Sequence, residues 1–371
     1  MWEHSDLPGP PFRAEHIGSL LRPRALKEAA RAAQRDRGAA GPYRAVLEGE
    51  IARVVKRQEE LGLAAVTDGE FGRSSWFGFF FERLEGFRLA DSRFRFRDAE
   101  GGEHTWQTCC ASKRMRRPQA IAVEEFERVR RLSGATPKAC LPSPSALHFF
   151  RGDACYDAGA YASIEEWWAD LRQIYRDEVR ALADAGCRYL QLDEVPLAML
   201  CDGRVRAEIA AGGLDPIELV DRYVALTNEV FEAAPPTMTL GVHMCRGNFR
   251  SRWMAEGGYE PVAERVFGGL RVDALFLEFD SERAGSFEPL RLVSPDKTVV
   301  LGLVSTKRAE LEDLDLLARR IDSASRLIPL ERLALSPQCG FASVAGGNPL
   351  GEDDQFRKLS RVVECAARVW G

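Results

Sequence analysis

Residues 241–248 read GVHMCRGN, which places His243 and Cys245 two positions apart in a chain with five histidines and nine cysteines. In a strand, residues two apart point to the same side, so this imidazole and this thiol can face one centre. Both are zinc ligands, with Zn–N near ~2.0 Å and Zn–S near ~2.3 Å. Alone, the pair reads equally well as a buried strand end. It gains meaning from Glu278 and Cys339, which fall at the ends of other apolar runs. Two thiolates, a neutral imidazole and a carboxylate leave a zinc ion with a net negative surround, a poor Lewis acid for a carbonyl. If a substrate thiol displaces Glu278, however, the bound sulfur loses its proton and stays nucleophilic near neutral pH. Alkyl transfer to sulfur is the chemistry such a set suits.

These groups need a scaffold that brings strand ends together. Eight short β-rich runs are legible: 13–19, 63–70, 138–144, 188–194, 239–245, 274–280, 298–304 and 333–339. Between them lie helical patterns such as 48–62, 165–186, 216–233 and 313–325, with apolar residues at three- and four-residue spacing. Strands alternating with helices predict parallel pairing and an α/β fold of the closed (β/α)₈ TIM-barrel type, with a doubly wound open sheet as the alternative. A barrel makes a demand of its own, that catalytic groups stand at the C-terminal ends of strands. The runs end in Gly18-Ser19, Asp68-Gly69-Glu70, Asp193-Glu194, His243-Met244-Cys245, Glu278 and Cys339, as that demand requires. The stretch from 71 to 137 is too long for one crossover, and FRFRDAEGGEHTWQ within it is two alternating runs around Gly101-Gly102. It predicts a β-hairpin inserted after the second strand, serving as a lid or as the contact of a homo-oligomer.

At 371 residues the chain fits one such domain, spanning 1–371, and its 45% apolar and 29% charged content is ordinary for a globular protein. The net charge of −5 gives no reason to expect nucleic acid, and the basic run KRMRR (113–117) is followed closely by the acidic VEEFE, as on a solvated face. No apolar run approaches the ~20 residues a membrane helix needs, and the opening MWEHSDLPGPPF lacks a basic-then-apolar signal. An odd number of scattered cysteines then predicts reduced thiols in the cytoplasm, free to bind metal.

Taken together, HIGSLLRP, DGEFGRSSW, YLQLDE, HMCRGN, LEFDSERAG, LGLVSTK and LSPQCGFAS resemble the cobalamin-independent methionine synthases, specifically their C-terminal catalytic barrel and its short single-barrel relatives. The resemblance runs over nearly the whole chain. It implies zinc held by His243, Cys245, Glu278 and Cys339, and a homocysteine whose carboxylate lies on Ile17, Gly18 and Ser19. It places the substrate ammonium on the acids Glu70 and Asp193, with Glu194 beside them. A zwitterionic thiol needs donors at one end and carboxylates at the other, so the residue types agree.

The sequence departs from the family pattern at two places. Where full-length synthases carry a His before Ser-Pro, thought to protonate the departing folate nitrogen, Ser305 stands here, a poor general acid. The family's T-G-P-V-T…W-S stretch is replaced by LPSPSALHFF, so His148 is the candidate substitute acid. The implied reaction is methyl transfer to homocysteine, from methyltetrahydrofolate, a methylcorrinoid protein or another small donor. Two alternatives remain: addition of coenzyme M to an epoxide, with Arg246 or Lys307 meeting the sulfonate, and a zinc-thiol binding barrel without turnover.

Overall fold

The computed structural model describes residues 9–98 and 100–371; Met1–Pro8, most of the opening stretch read above for a targeting signal, lies outside them. In chain order the strands are β1 (Ala65–Val66), β2 (Glu85–Asp91), β3 (Phe96–Arg97), β4 (Glu103–His104), β5 (Gln107–Arg116), β6 (Thr136–Pro137), β7 (Ala139–Pro142), β8 (Tyr189–Asp193), β9 (Thr239–Met244), β10 (Ala274–Glu278), β11 (Thr298–Val304) and β12 (Leu333–Pro337). Six of them, β7 to β12, pair in sequence order and all in parallel. A parallel β1–β6 pair continues this sheet, because Lys138 at the β6–β7 junction donates its N–H to the Val66 carbonyl.

The first expected strand, 13–19, is reduced to one parallel bridge, Ala14 to Leu335, with Glu15 N–H and the Arg13 carbonyl both bonded to Leu335. Its other edge reaches β1 through side chains: His16 Nε2 lies 3.2 Å from the Ala65 carbonyl, and Thr67 Oγ1 donates to the Gly18 carbonyl at 2.7 Å. Backbone pairing resumes only at Leu20 N–H to the Gly69 carbonyl. The strand cannot extend because Gly18 has φ +142°. The second expected strand, 63–70, shortens to two residues for a related reason. Beyond Val66, the Thr67 hydroxyl and the Asp68 carboxylate accept the N–H groups of Gly69 and Glu70, whose φ values of +68° and +59° turn the chain.

The helices answer their caps. Ile164–Asp184 starts at Ser163, which accepts from Glu166 N–H, Pro216–Phe231 starts at Asp215 with proline in its first turn, and Leu314–Ser325 starts at Asp313. The expected helix 48–62 is the latter part of Ala40–Glu60. Ile17, Ala65, Tyr189, Ala274, Phe276, Val300 and Ala334 pack as one small apolar group from the strands, which fills the interior and leaves the strand ends for chemistry.

The insertion is larger than one hairpin. β3 and β4 form the expected antiparallel pair across Gly101-Gly102, and they sit at the tip of a longer antiparallel ribbon made by β2 and β5. The basic run 113–117 therefore lies mostly on a strand, where Met115 is buried and Arg114, Arg116 and Arg117 pair with Asp170, Glu85 and Glu178. Reciprocal backbone bonds between Arg97 and Trp253 pin the tip to the loop after β9. Among the described residues no helix is long and apolar enough to cross a membrane, and all nine cysteines are unpaired and buried.

Candidate functional site

Three of the four expected metal ligands meet. His243, the last residue but one of β9, points the same way as Cys245 just beyond the strand, and Cys339 follows β12 by two residues. Their ligand atoms all lie within 4.8 Å of one another, with the two sulfurs 3.5 Å apart. All three side chains are buried, and neither ring nitrogen of His243 has a hydrogen-bond partner. Contact with Cys339 and burial push the Cys245 thiol well above its usual range, against the lowering pull of His243. A buried imidazole with two bare nitrogens beside two thiols is a donor set that fits tetrahedral zinc with one position left open.

Glu278 is not part of this trio. The last residue of β10 is fully buried, and its carboxylate accepts from Arg246 N–H and Arg283 Nη2, each at 2.8 Å, with Lys307 Nζ at 3.6 Å. Burial alone would raise its pKa, but Lys307, Arg246 and Arg283 outweigh that and bring it down to about 2. Sequence reasoning had no signal for this cage, which depends on how the turn 279–283 folds back.

The expected substrate residues divide in the same way. Ile17, Ser19, Glu70 and Asp193 line one cavity together with His243, Cys245 and Cys339. Gly18 joins them by being small: a Cβ there would meet Cys140 Sγ at 2.9 Å and Glu70 Oε1 at 3.2 Å. Gly340 is tighter still, since a Cβ would fall 2.0 Å from Ser19 Oγ. Glu194 does not line the cavity. It accepts from Ser145 Oγ at 2.7 Å and caps the short helix Val195–Met199 through Leu197 N–H.

Neither candidate acid reaches the cavity lining. His148 is buried with Nδ1 2.7 Å from Tyr223 Oη and Nε2 3.2 Å from Asp153 Oδ1, against the ring of Trp168. Both nitrogens of this candidate acid are engaged. Ser305 is likewise a turn residue: its N–H donates to Glu312, and its hydroxyl accepts from Lys307 N–H. The sequence reading missed the wall made by Trp76, Phe96 and Met254, and the amide of Asn248, whose Nδ2 donates to the Gly340 carbonyl while its buried Oδ1 has no partner. Trp76 and Asn248 sit inside motifs already singled out, and Phe96 inside the hairpin; only their direction was hidden.

Burial raises the Glu194 carboxyl to about 7. A group with its folded pKa above the unfolded one stabilises the fold below the unfolded value, and that stability declines as pH rises through the folded value. Glu194→Gln keeps an acceptor for Leu197 N–H and a donor for Ser145, so the variant is expected to match the parent near pH 4 and to exceed it by about 1–3 kcal/mol above about pH 7. Denaturant unfolding at the two pH values checks this; equal stability at the higher pH would refute it.

Against this geometry, comparison with known proteins is direct. Residues 12–367 match the family model described as cobalamin-independent synthase, catalytic domain, and the chain belongs to that family. Among curated relatives, the protein YxjH of Bacillus subtilis (strain 168) is 41% identical, over 97% of this chain and 95% of its own. The 5-methyltetrahydropteroyltriglutamate–homocysteine methyltransferase of Thermosynechococcus vestitus is 24% identical over 90% of this chain, which spans 40% of that longer protein. A solved chain from Listeria monocytogenes, 33% identical, superposes with a TM-score of 0.76 over 97% of this chain and 98% of its own.

Proposed function

We propose that the protein transfers a methyl group to the thiol of homocysteine, giving methionine, on a zinc ion held by His243, Cys245 and Cys339. The observation that carries this reading is that the three bare ligands share one cavity with Ile17, Ser19, Glu70 and Asp193. One end of that cavity suits sulfur, and the other offers two carboxylates to an ammonium. Zinc, when bound, lowers the pKa of a thiol that ligates it. The chain's own part is to fix the substrate around its sulfur. Ser19 with the backbone of 17–19 receives the carboxylate, Glu70 and Asp193 receive the ammonium, and Trp76, Phe96 and Met254 exclude water. The sulfur then takes the methyl carbon, and the bond from that carbon to its donor breaks with the electron pair leaving on the donor.

Glu278, held by Arg283 and Lys307, would be the exchangeable further donor to the ion. The same geometry disfavours a coenzyme M substrate, because Arg246 and Lys307 turn to Glu278 and not to the cavity. A zinc-thiol binding barrel without turnover would use the same cavity, and methionine formation is what separates it from the methyltransferase. Neither His148 nor Ser305 lines the cavity, which favours a donor whose leaving group needs no proton, a methylcorrinoid protein among them. A screen of folate and corrinoid donors, following methionine by mass spectrometry, tests the donor. The metal step is tested by X-ray absorption of the zinc-loaded protein: homocysteine is expected to add one sulfur to the zinc shell in place of an oxygen or nitrogen, and an unchanged shell would end this reading.

A further inference from the structure

Glu70 belongs to two cavities. It lines the cavity described above and also a second one, lined by Asp68, Arg73, Glu125, Lys138 and Cys140 among others. Its side chain is 3% exposed; Oε1 lies 3.2 Å from Arg73 Nη1, and Oε2 has no hydrogen-bond partner. Asp68 has the same form, with Oδ1 accepting from Glu70 N–H and Oδ2 buried and unpartnered.

The charges facing Glu70 do not balance. From the same loop come Asp68 and Arg73, from the segment before the first helix Arg22, from the end of β8 Asp193, and from helix Val123–Leu132 Glu125. Arg22 gives Nη2 to the Glu70 carbonyl at 2.6 Å, and Arg73 and Arg83 both bind Glu125. The remaining cations are taken elsewhere: Lys138 pairs with Glu15, and Arg128 with Glu48 and Glu124. Asp68, Glu70, Asp193 and Glu125 thus outnumber Arg22, Arg73 and Arg83 by one, in a place where an uncompensated charge is costly. The Cys140 thiol, pushed up by its burial, adds no charge.

We propose that Glu70 carries a proton in the ligand-free site and gives it up through the Asp68 cavity as a ligand ammonium enters, so that amino-acid binding releases a proton. The inference rests on the homocysteine reading of the cavity. The O–H bond of the carboxyl breaks, its electron pair remains as the carboxylate that meets the ammonium, and the proton passes to buffer. Burial, which raises Glu70 to about 7, places the exchange near neutrality.

Calorimetry of L-methionine binding to zinc-loaded protein tests this, since methionine has no thiol proton to lose. Near pH 6.5 the heat is expected to differ between phosphate and ACES by the release of most of a proton per ligand, and the difference is expected to shrink as pH rises to about 8, below the range where the ligand's own ammonium titrates. Affinity is expected to rise by up to roughly tenfold per pH unit below about pH 7. Glu70→Gln is expected to bind more weakly with a buffer-independent heat. If that variant does not fold, infrared difference spectra of the parent serve instead, and a protonated-carboxyl band is expected to disappear when methionine binds. Equal heats in the two buffers near pH 6.5, with binding intact, overturn the inference alone. Failure of both methionine and homocysteine to bind overturns the reading of the cavity and the inference with it.

Discussion

Replacing Cys339 by serine is expected to cost roughly 100-fold or more in zinc affinity and to remove methyl transfer. Loss of an outer partner of a metal ligand already costs about 10–100-fold, and Cys339 is proposed as a ligand itself. The remaining His243 and Cys245 would leave a two-donor site in a pocket shaped for more, with Cys245 Sγ facing a hydroxyl where it now faces a thiol at 3.5 Å. Without the metal, the substrate sulfur returns to the ordinary thiol range, where only a few per cent is ionised near neutrality. Burial in the cavity lowers that fraction further. Metal-free molecules therefore contribute little, and activity is expected to fall in step with the loss of bound metal. Zinc content after dialysis against a chelator, circular dichroism and methionine formation together check this. A folded Cys339→Ser protein that keeps its zinc would remove Cys339 from the site.

Glu278→Ala is expected to destabilise the metal-free protein by about 3–5 kcal/mol, the usual cost of breaking a buried pair from one side. Arg246 is fully buried, and it keeps Tyr259 and backbone carbonyls as partners; Arg283 and Lys307 lose the carboxylate they share. Lys307 Nζ has no hydrogen bond to fall back on. Glu278→Gln separates shape from charge: it refills the space, leaves the three cations unbalanced, and should recover only part of the loss. The pH dependence has a definite sign. With its folded pKa down at about 2, Glu278 contributes stability that is complete above the unfolded carboxylate range and is lost as pH falls through that low value. Thermal melts of apo parent and variants from neutral to acid pH measure this, and a variant as stable as the parent would mean that the cage bears no load.

The parts of the site that could be read in the sequence are those fixed by strand geometry. His243 and Cys245 share a face because β9 alternates, and the ends of parallel strands collect at one rim of a barrel, which gathered Cys339, Asp193 and Glu70 from far apart in the chain. What stayed hidden is set by turns and by long side chains. Arg283 and Lys307 could have pointed to solvent or to substrate; the fold-back after β10 turns both to Glu278. The partners of His148, Tyr223 from 75 residues away and Asp153 from five, follow from how its helix packs and not from any local pattern. The first strand read as regular from its alternation, yet Gly18 and the buried polar groups Arg13, Glu15 and His16 spend their hydrogen bonds on the barrel interior and not on a ladder. The inserted ribbon was expected from its length, but Phe96 as part of a cavity wall depends on the tip docking against Trp253.

The seam where the ring closes has a consequence for how the protein is made. Ala14 bridges to Leu335, Phe341 N–H bonds the Ser19 carbonyl, and Gly340 packs directly on Ser19, so the turn bearing Cys339 takes its place only when the two ends of the chain have found each other. A nascent chain with β9 already formed would present an imidazole and one sulfur and little reason for a metal to stay. On the proposed zinc reading, only molecules that have closed the ring would offer the ion all three donors, so retained metal would report a completed fold.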